Sequence, residues 1–173
     1  AGYPHLLIIA PRHSDRSQDI ARLIPQAAHR SKNQLPLLGD NHFLADSFGE
    51  MSSLVTAADI VILGGSFVPK GGHNPLEVAA LSTPLITGPS QFKNEIEFNT
   101  LQQYGQCITV KDGAALVKQL TIWLEALRTD GRAIPQDNLD KACAYVKQAC
   151  ERPTNAARLI IDRLPTQHHP NQN

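Results

Sequence analysis

Short, continuous apolar runs recur along the chain: LLIIA (6–10), IVILGG (60–65), PLITG (84–88) and QCITV (106–110), with a weaker LPLLGD (35–40). Between them, SQDIARLIPQAAHR (17–30), GEMSSLVTAAD (49–59), NPLEVAALS (74–82), NEIEFNTLQQYG (94–105) and GAALVKQLTIWLEALR (113–128) carry apolar residues at three- and four-residue spacing. Unbroken apolar strands suit a parallel sheet covered on both faces, and the strand-helix alternation is the βαβ signature. The expected class is therefore α/β, with a Rossmann-like, doubly wound parallel sheet. Residues 137–165 differ, predicting two extra C-terminal helices separated at Pro153. The polar tail TQHHPNQN is expected to be disordered, its adjacent His168 and His169 lacking the spacing of a metal site.

A chain of 173 residues that is 42% hydrophobic can bury one sizeable core, which favours a single domain. Sixteen basic residues balance sixteen acidic ones, so no overall field gathers nucleic acid or anionic membrane, and any anion must be held locally. No apolar run approaches the roughly 20 residues that span a bilayer, and the fragment is expected to be soluble. Cys107, Cys143 and Cys150 form an odd set without a CxxC. The last two stand on one expected helix with roughly 10 Å of rise between them, too far for a bridge, and all three are expected to be reduced core thiols.

Candidate chemistry gathers after the second strong strand, in GGSFVPKGGHNPLEVAAL (64–81). In open parallel sheets, ligands bind where strands end and loops lead into helices. Gly64 and Gly65 close the strand and Gly71 and Gly72 precede the helix, so that backbone can approach a ligand from two sides. Asn74 is a good N-cap, Pro75 suits the first helical position and Glu77 falls at the third, and such a helix start can receive a phosphate. Glu77 has two readings: a capping-box partner for the Asn74 amide, or an acceptor for ribose hydroxyls. The APRHSDR segment brings Arg12, His13 and Arg16 to the end of the first strand, as phosphate ligands or as a solvated charged loop. DSFGEM (46–51) offers Asp46, Gly49 and Glu50 near a helix start, where local capping competes with ligand contact. GPSQFKNEIE (88–97) lies at the same expected sheet edge, although its residue types name no chemistry. No G-x-S-x-G elbow, P-loop or H-E-x-x-H is present.

Together, PRHSDR (11–16), DSFGEM (46–51), AADIVILGGSFVPKGGHNPLEVAAL (57–81) and PLITGPSQFKNEIE (84–97) resemble the bacterial 3-deoxy-D-manno-octulosonic acid (Kdo) transferases. In that family the corresponding text runs close to P-R-H-P-E-R, D-T-M-G-E-L and G-G-S-x-V-P-x-G-G-H-N-P-L-E-P-A-A. Among the departures of this chain are Ser14, Asp15, Ser47, Phe48 and Val78, none of them a proposed contact. The likeness covers roughly residues 6 to 165 and implies the C-terminal, donor-binding half of a two-domain GT-B glycosyltransferase. It implies one nucleotide-sugar domain over 1–165, truncated at its N-terminal side, and a tail over 166–173.

The implied function is to move Kdo from CMP-Kdo to a lipid A precursor in lipopolysaccharide inner-core biosynthesis, with inversion and without metal or other cofactor. The implied donor-binding set is Arg12, His13, Gly49, Glu50, Met51, Gly65, Ser66, Lys70, Gly71, Gly72, His73, Asn74 and Glu77. Within it, Arg12 and the amides around Gly71 to Asn74 take the phosphate with Lys70 as a further cation, and Glu77 takes the ribose. Arg12, His13 and the backbone of residues 49–51 frame the cytosine. No catalytic residue is expected here: the base, the acceptor contacts and any membrane association fall to the N-terminal half, and the whole enzyme to the cytoplasmic face of the inner membrane. Alternatives are another GT-B enzyme using a UDP-sugar, or a non-catalytic nucleotide-binding module.

Overall fold

A computed structural model describes residues 4–12 and 16–161. The chain forms two compact units that meet in sequence after Ala57. Among the described residues, six strands are hydrogen-bonded as two three-stranded, wholly parallel sheets, one per unit. The expected α/β class is observed.

In the first unit, β1 (Leu7–Ile9) and β2 (Ala28–His29) flank β3 (His42–Leu44). Leu7 stands opposite His42 and Ile9 opposite Leu44, while His29 also pairs with Leu44. The central strand carries the burial, with Phe43 and Leu44 in the core beside Ala27 and Ala45. Helix α1 (Ser17–Leu23) is shorter than the periodicity predicts, because Pro25 pushes Ile24 out of helical space (φ −130°, ψ 61°) and frees the following residues for β2. The expected weak strand over 35–40 is instead a turn. Pro36 has no amide for a ladder, and the Asp40 carboxylate accepts from the Leu37 amide at 2.7 Å, leaving Leu35, Leu37 and Leu38 exposed. Helix α2 (Met51–Ala57) follows β3 and buries Val55.

In the second unit the order is β4 (Val61–Leu63), β5 (Leu85–Thr87), β6 (Cys107–Thr109). Flanked on both sides, β5 is buried at all three positions, as its unbroken apolar run predicts. Helices α3 (Leu76–Ala80) and α4 (Glu95–Gln103) make the two crossovers. Helix α5 (Gly113–Asp130) is capped by Asp112, whose side chain accepts from the Ala115 amide at 2.8 Å, and ends on a left-handed Gly131. It brings Trp123 into a cluster with Ile86, Val110, Ala133, Ile134 and Leu139. The fully buried Gln106 donates through Nε2 to the Thr83 carbonyl at 3.0 Å, while its main-chain carbonyl accepts from the Leu85 amide.

Two further expectations change. Helix α6 (Gln136–Ile161) is continuous, not two helices parted at Pro153; a proline removes one bond of the ladder, and the bonds on either side keep the segment helical. Of the three cysteines, only Cys107 is a core thiol; Cys143 is half-buried and Cys150 exposed, and all are free. Burial pushes the Cys107 thiol up to about 12. The tail over 166–173 lies outside the described residues.

Candidate donor-binding site

The loop between β4 and α3 folds back on itself. The Gly72 amide donates to the Gly65 carbonyl at 3.2 Å, closing a neck between its outgoing and returning limbs. Gly71 (φ 83°) and Gly72 (φ 72°) adopt the left-handed backbone that makes this return possible. Ser66, fully buried, fixes the outgoing limb: its hydroxyl donates to the Leu63 carbonyl at 2.7 Å and accepts from the Gly88 amide at 2.8 Å.

The loop after β5 serves as its counterpart. The Ser90 amide donates to the Ser66 carbonyl at 2.9 Å, and the Ser90 hydroxyl accepts from the Gly71 amide at 3.0 Å. Both limbs are thus tied to residues 88–90, and the contact is close enough that a Cβ on Gly88 would stand 2.5 Å from the Ser66 carbonyl oxygen. On the other side, Phe92 and Lys93 pack over Gly71.

What this scaffold presents outward is Lys70, Asn74 and Glu77, all exposed, with His73 half-buried against Gly65. The N-cap of α3 is Pro75, one residue later than expected, and Asn74 precedes it with its Oδ1 accepting from the Leu76 amide at 3.0 Å. The capping-box reading of Glu77 is not realised: among the described residues, its carboxylate is left open to solvent near the start of α3. Two features narrow the anion-binding expectation. Helix α3 has five residues, so its dipole is small. The Gly71 and Gly72 amides are engaged within the scaffold and are not open to an anion, whereas the Lys70 side chain is exposed.

The first unit places its candidates separately. Arg12 is exposed just past β1, and His13 lies outside the described residues. Gly49 takes a left-handed φ of 85° ahead of α2, which begins at the exposed Met51. The Glu50 carboxylate is held by Arg30, whose Nε reaches its two oxygens at 3.0 and 2.9 Å and whose Nη2 donates at 2.9 Å, and also by the Ser47 hydroxyl. These bonds hold Glu50 below the usual carboxylate range, with the Arg30 bond the largest cause. Alongside, Asp46 accepts from the Ser31 amide at 2.8 Å and hydroxyl at 2.7 Å, with His29 Nδ1 at 3.8 Å. Burial pushes the Asp46 carboxyl up, but the Ser31 bonds outweigh it and the net direction is down. Glu50 therefore shapes the 46–51 segment through Arg30 and Ser47, while Met51 stays exposed.

Sequence reasoning placed Ser90 at the sheet edge without a role, and missed Arg30 and Ser31. The position of Ser90 at a strand's carboxyl end was the available signal. Arg30 had none, since its partner lies twenty residues away.

No protein-family model matches the chain. It is 36% identical over 160 residues to the 3-deoxy-D-manno-octulosonic acid transferase of Rickettsia prowazekii, covering 90% of this chain and 32% of that protein. Its identity to the Haemophilus influenzae protein of the same name is 42% over 97 residues, 53% of this chain and 23% of that one. By sequence the chain is a homologue of part of the Kdo transferases. It spans about a third or less of the length of these relatives. Among solved structures, it matches the C-terminal CMP-Kdo binding domain of WaaA from Acinetobacter baumannii, with a TM-score of 0.68 and 25% identity over 83% of this chain and 74% of that one. The shared fold supports the expectation that this Kdo transferase homologue corresponds to the C-terminal part of its relatives.

Proposed function

We propose that the chain is the donor-binding part of a Kdo transferase and holds CMP-Kdo. The observation that carries this reading is the likeness, over most of the chain, to a domain named for CMP-Kdo binding; in this chain the β4–α3 loop is braced to present a cation and an open carboxylate.

On this reading the Lys70 ammonium and the returning limb at His73 and Asn74 receive the single phosphate of CMP, and Glu77 accepts from the ribose hydroxyls. The phosphate gains charge as the bond to Kdo breaks, so fixed donors there stabilise the leaving group more in the transition state than before it. Gly65, Ser66, Gly71 and Gly72 serve as scaffold. Arg12, His13 and residues 49–51 are further donor contacts, each to be tested within its own unit. The reaction is inverting and needs no metal, and its base and the contacts to a lipid A precursor belong to the rest of such an enzyme, at the cytoplasmic face of the inner membrane.

Titrating the chain with CMP and following backbone amides by NMR tests the donor site. Shifts are expected over residues 64–77, with CMP preferred to UMP. Glu77→Ala, which removes charge-assisted hydrogen bonds worth about 1.5–3 kcal/mol, should weaken CMP by about 10- to 150-fold. Shifts that spare residues 64–77, or preference for UMP, would overturn the assignment and favour a UDP-sugar enzyme.

A further inference from the structure

We propose that Ser90 is a positioning residue for the donor, acting through the backbone of the glycine loop; this rests on the donor reading above. The returning limb consists of two consecutive left-handed glycines, Gly71 and Gly72, between Lys70 and His73. Glycine backbone has few steric restraints of its own, so hydrogen bonds decide which way its peptide planes face. One such plane is fixed within the loop, by the Gly72 amide on the Gly65 carbonyl. The other is fixed from outside it, by the Ser90 hydroxyl on the Gly71 amide at 3.0 Å.

Ser90 is itself anchored. Its amide is bonded to the Ser66 carbonyl at 2.9 Å, two residues after Gly88 is bonded to the Ser66 hydroxyl. A Cβ on Gly72 would stand 3.2 Å from the Ser90 carbonyl oxygen, so the same residue also limits the space on the far side of the limb. The hydroxyl thus transmits the position of the buried β4 and β5 ends to the peptide that follows Lys70, setting where the ammonium and the 73–74 amides point. Removing it leaves the core untouched and the Gly71 N–H without its partner.

The test uses Ser90→Ala and, as a variant that keeps the hydroxyl, Ser90→Thr. In the ligand-free chain, the Gly71 amide should exchange with solvent about tenfold faster in Ser90→Ala, while the Leu85 and Ile86 amides are unchanged; Ser90→Thr should restore the slow rate. CMP should bind Ser90→Ala about tenfold more weakly than wild type, and Ser90→Thr within about twofold. Equal CMP affinity of Ser90→Ala and wild type, or unchanged Gly71 exchange, overturns the positioning role alone. Failure of wild type to bind CMP overturns the donor reading and this role with it. A melting temperature that collapses in Ser90→Ala makes the residue structural and also overturns the proposal.

Discussion

Replacing Gly88 by Ala tests how closely the two loops approach. The new Cβ would lie 2.5 Å from the Ser66 carbonyl oxygen, 2.7 Å from its carbonyl carbon and 2.8 Å from the Phe67 amide nitrogen. All three are backbone atoms, so no side-chain rotation relieves the overlap, and the loops must part. Parting them also strains the Ser66 hydroxyl bond to the Gly88 amide at a fully buried site. Overpacking of this kind costs about 2 kcal/mol, within a range of about 1–3. For a chain of this length that lowers the melting temperature by about 4–8 °C. Gly64→Ala supplies the control, since a Cβ there meets nothing within 4 Å and Gly64 does not have a positive φ. It should melt within about 2 °C of wild type. Differential scanning calorimetry of the three proteins decides the matter. Equal melting temperatures for the two variants would refute the reasoning.

Acid should weaken the first unit through Asp46 and Glu50. Both carboxyls are held below their ordinary values when folded, so the stability they contribute is fully present above about pH 4.5 and is lost as pH falls through their folded values. Urea denaturation between pH 6 and pH 3 should show that loss, and Glu50→Gln combined with Ser31→Ala should flatten it; an equally steep fall in the double variant would contradict the assignment. Iodoacetamide at pH 7.5 should modify the exposed Cys150 first and spare Cys107, which is buried and whose thiol is pushed up to about 12, until denaturant is added. Mass spectrometry showing Cys107 labelled in the folded chain would contradict its burial.

Much of the second unit was legible because its strands are continuous apolar runs ended by glycine or polar residues, and β4, β5 and β6 lie inside the expected runs. The first unit was less so. Strand β2 has two residues, and its Ala28 and His29 carry no pattern of their own; it exists because β3 offers Phe43 and Leu44 as partners. Conversely, 35–40 looked apolar enough for a strand, and the local bond from Leu37 to Asp40 won. The glycine loop was legible as a place for close backbone approach. That Gly71 and Gly72 use their amides internally depends on Ser90 and Gly65, which no local spacing reveals.

Strand β5 is held at both of its ends by side chains. Gln106 grips the Thr83 carbonyl two residues before it, and Ser66 grips the Gly88 amide just after it. A parallel strand of three residues has few ladder bonds with which to resist slipping along its neighbours, and a slip of one residue in either direction would exchange the side chains on its two buried faces. Either slip would strip both grips from buried polar groups at once. The two polar side chains therefore act against mispairing: they penalise the wrong alignments of the central strand more than they strengthen the right one.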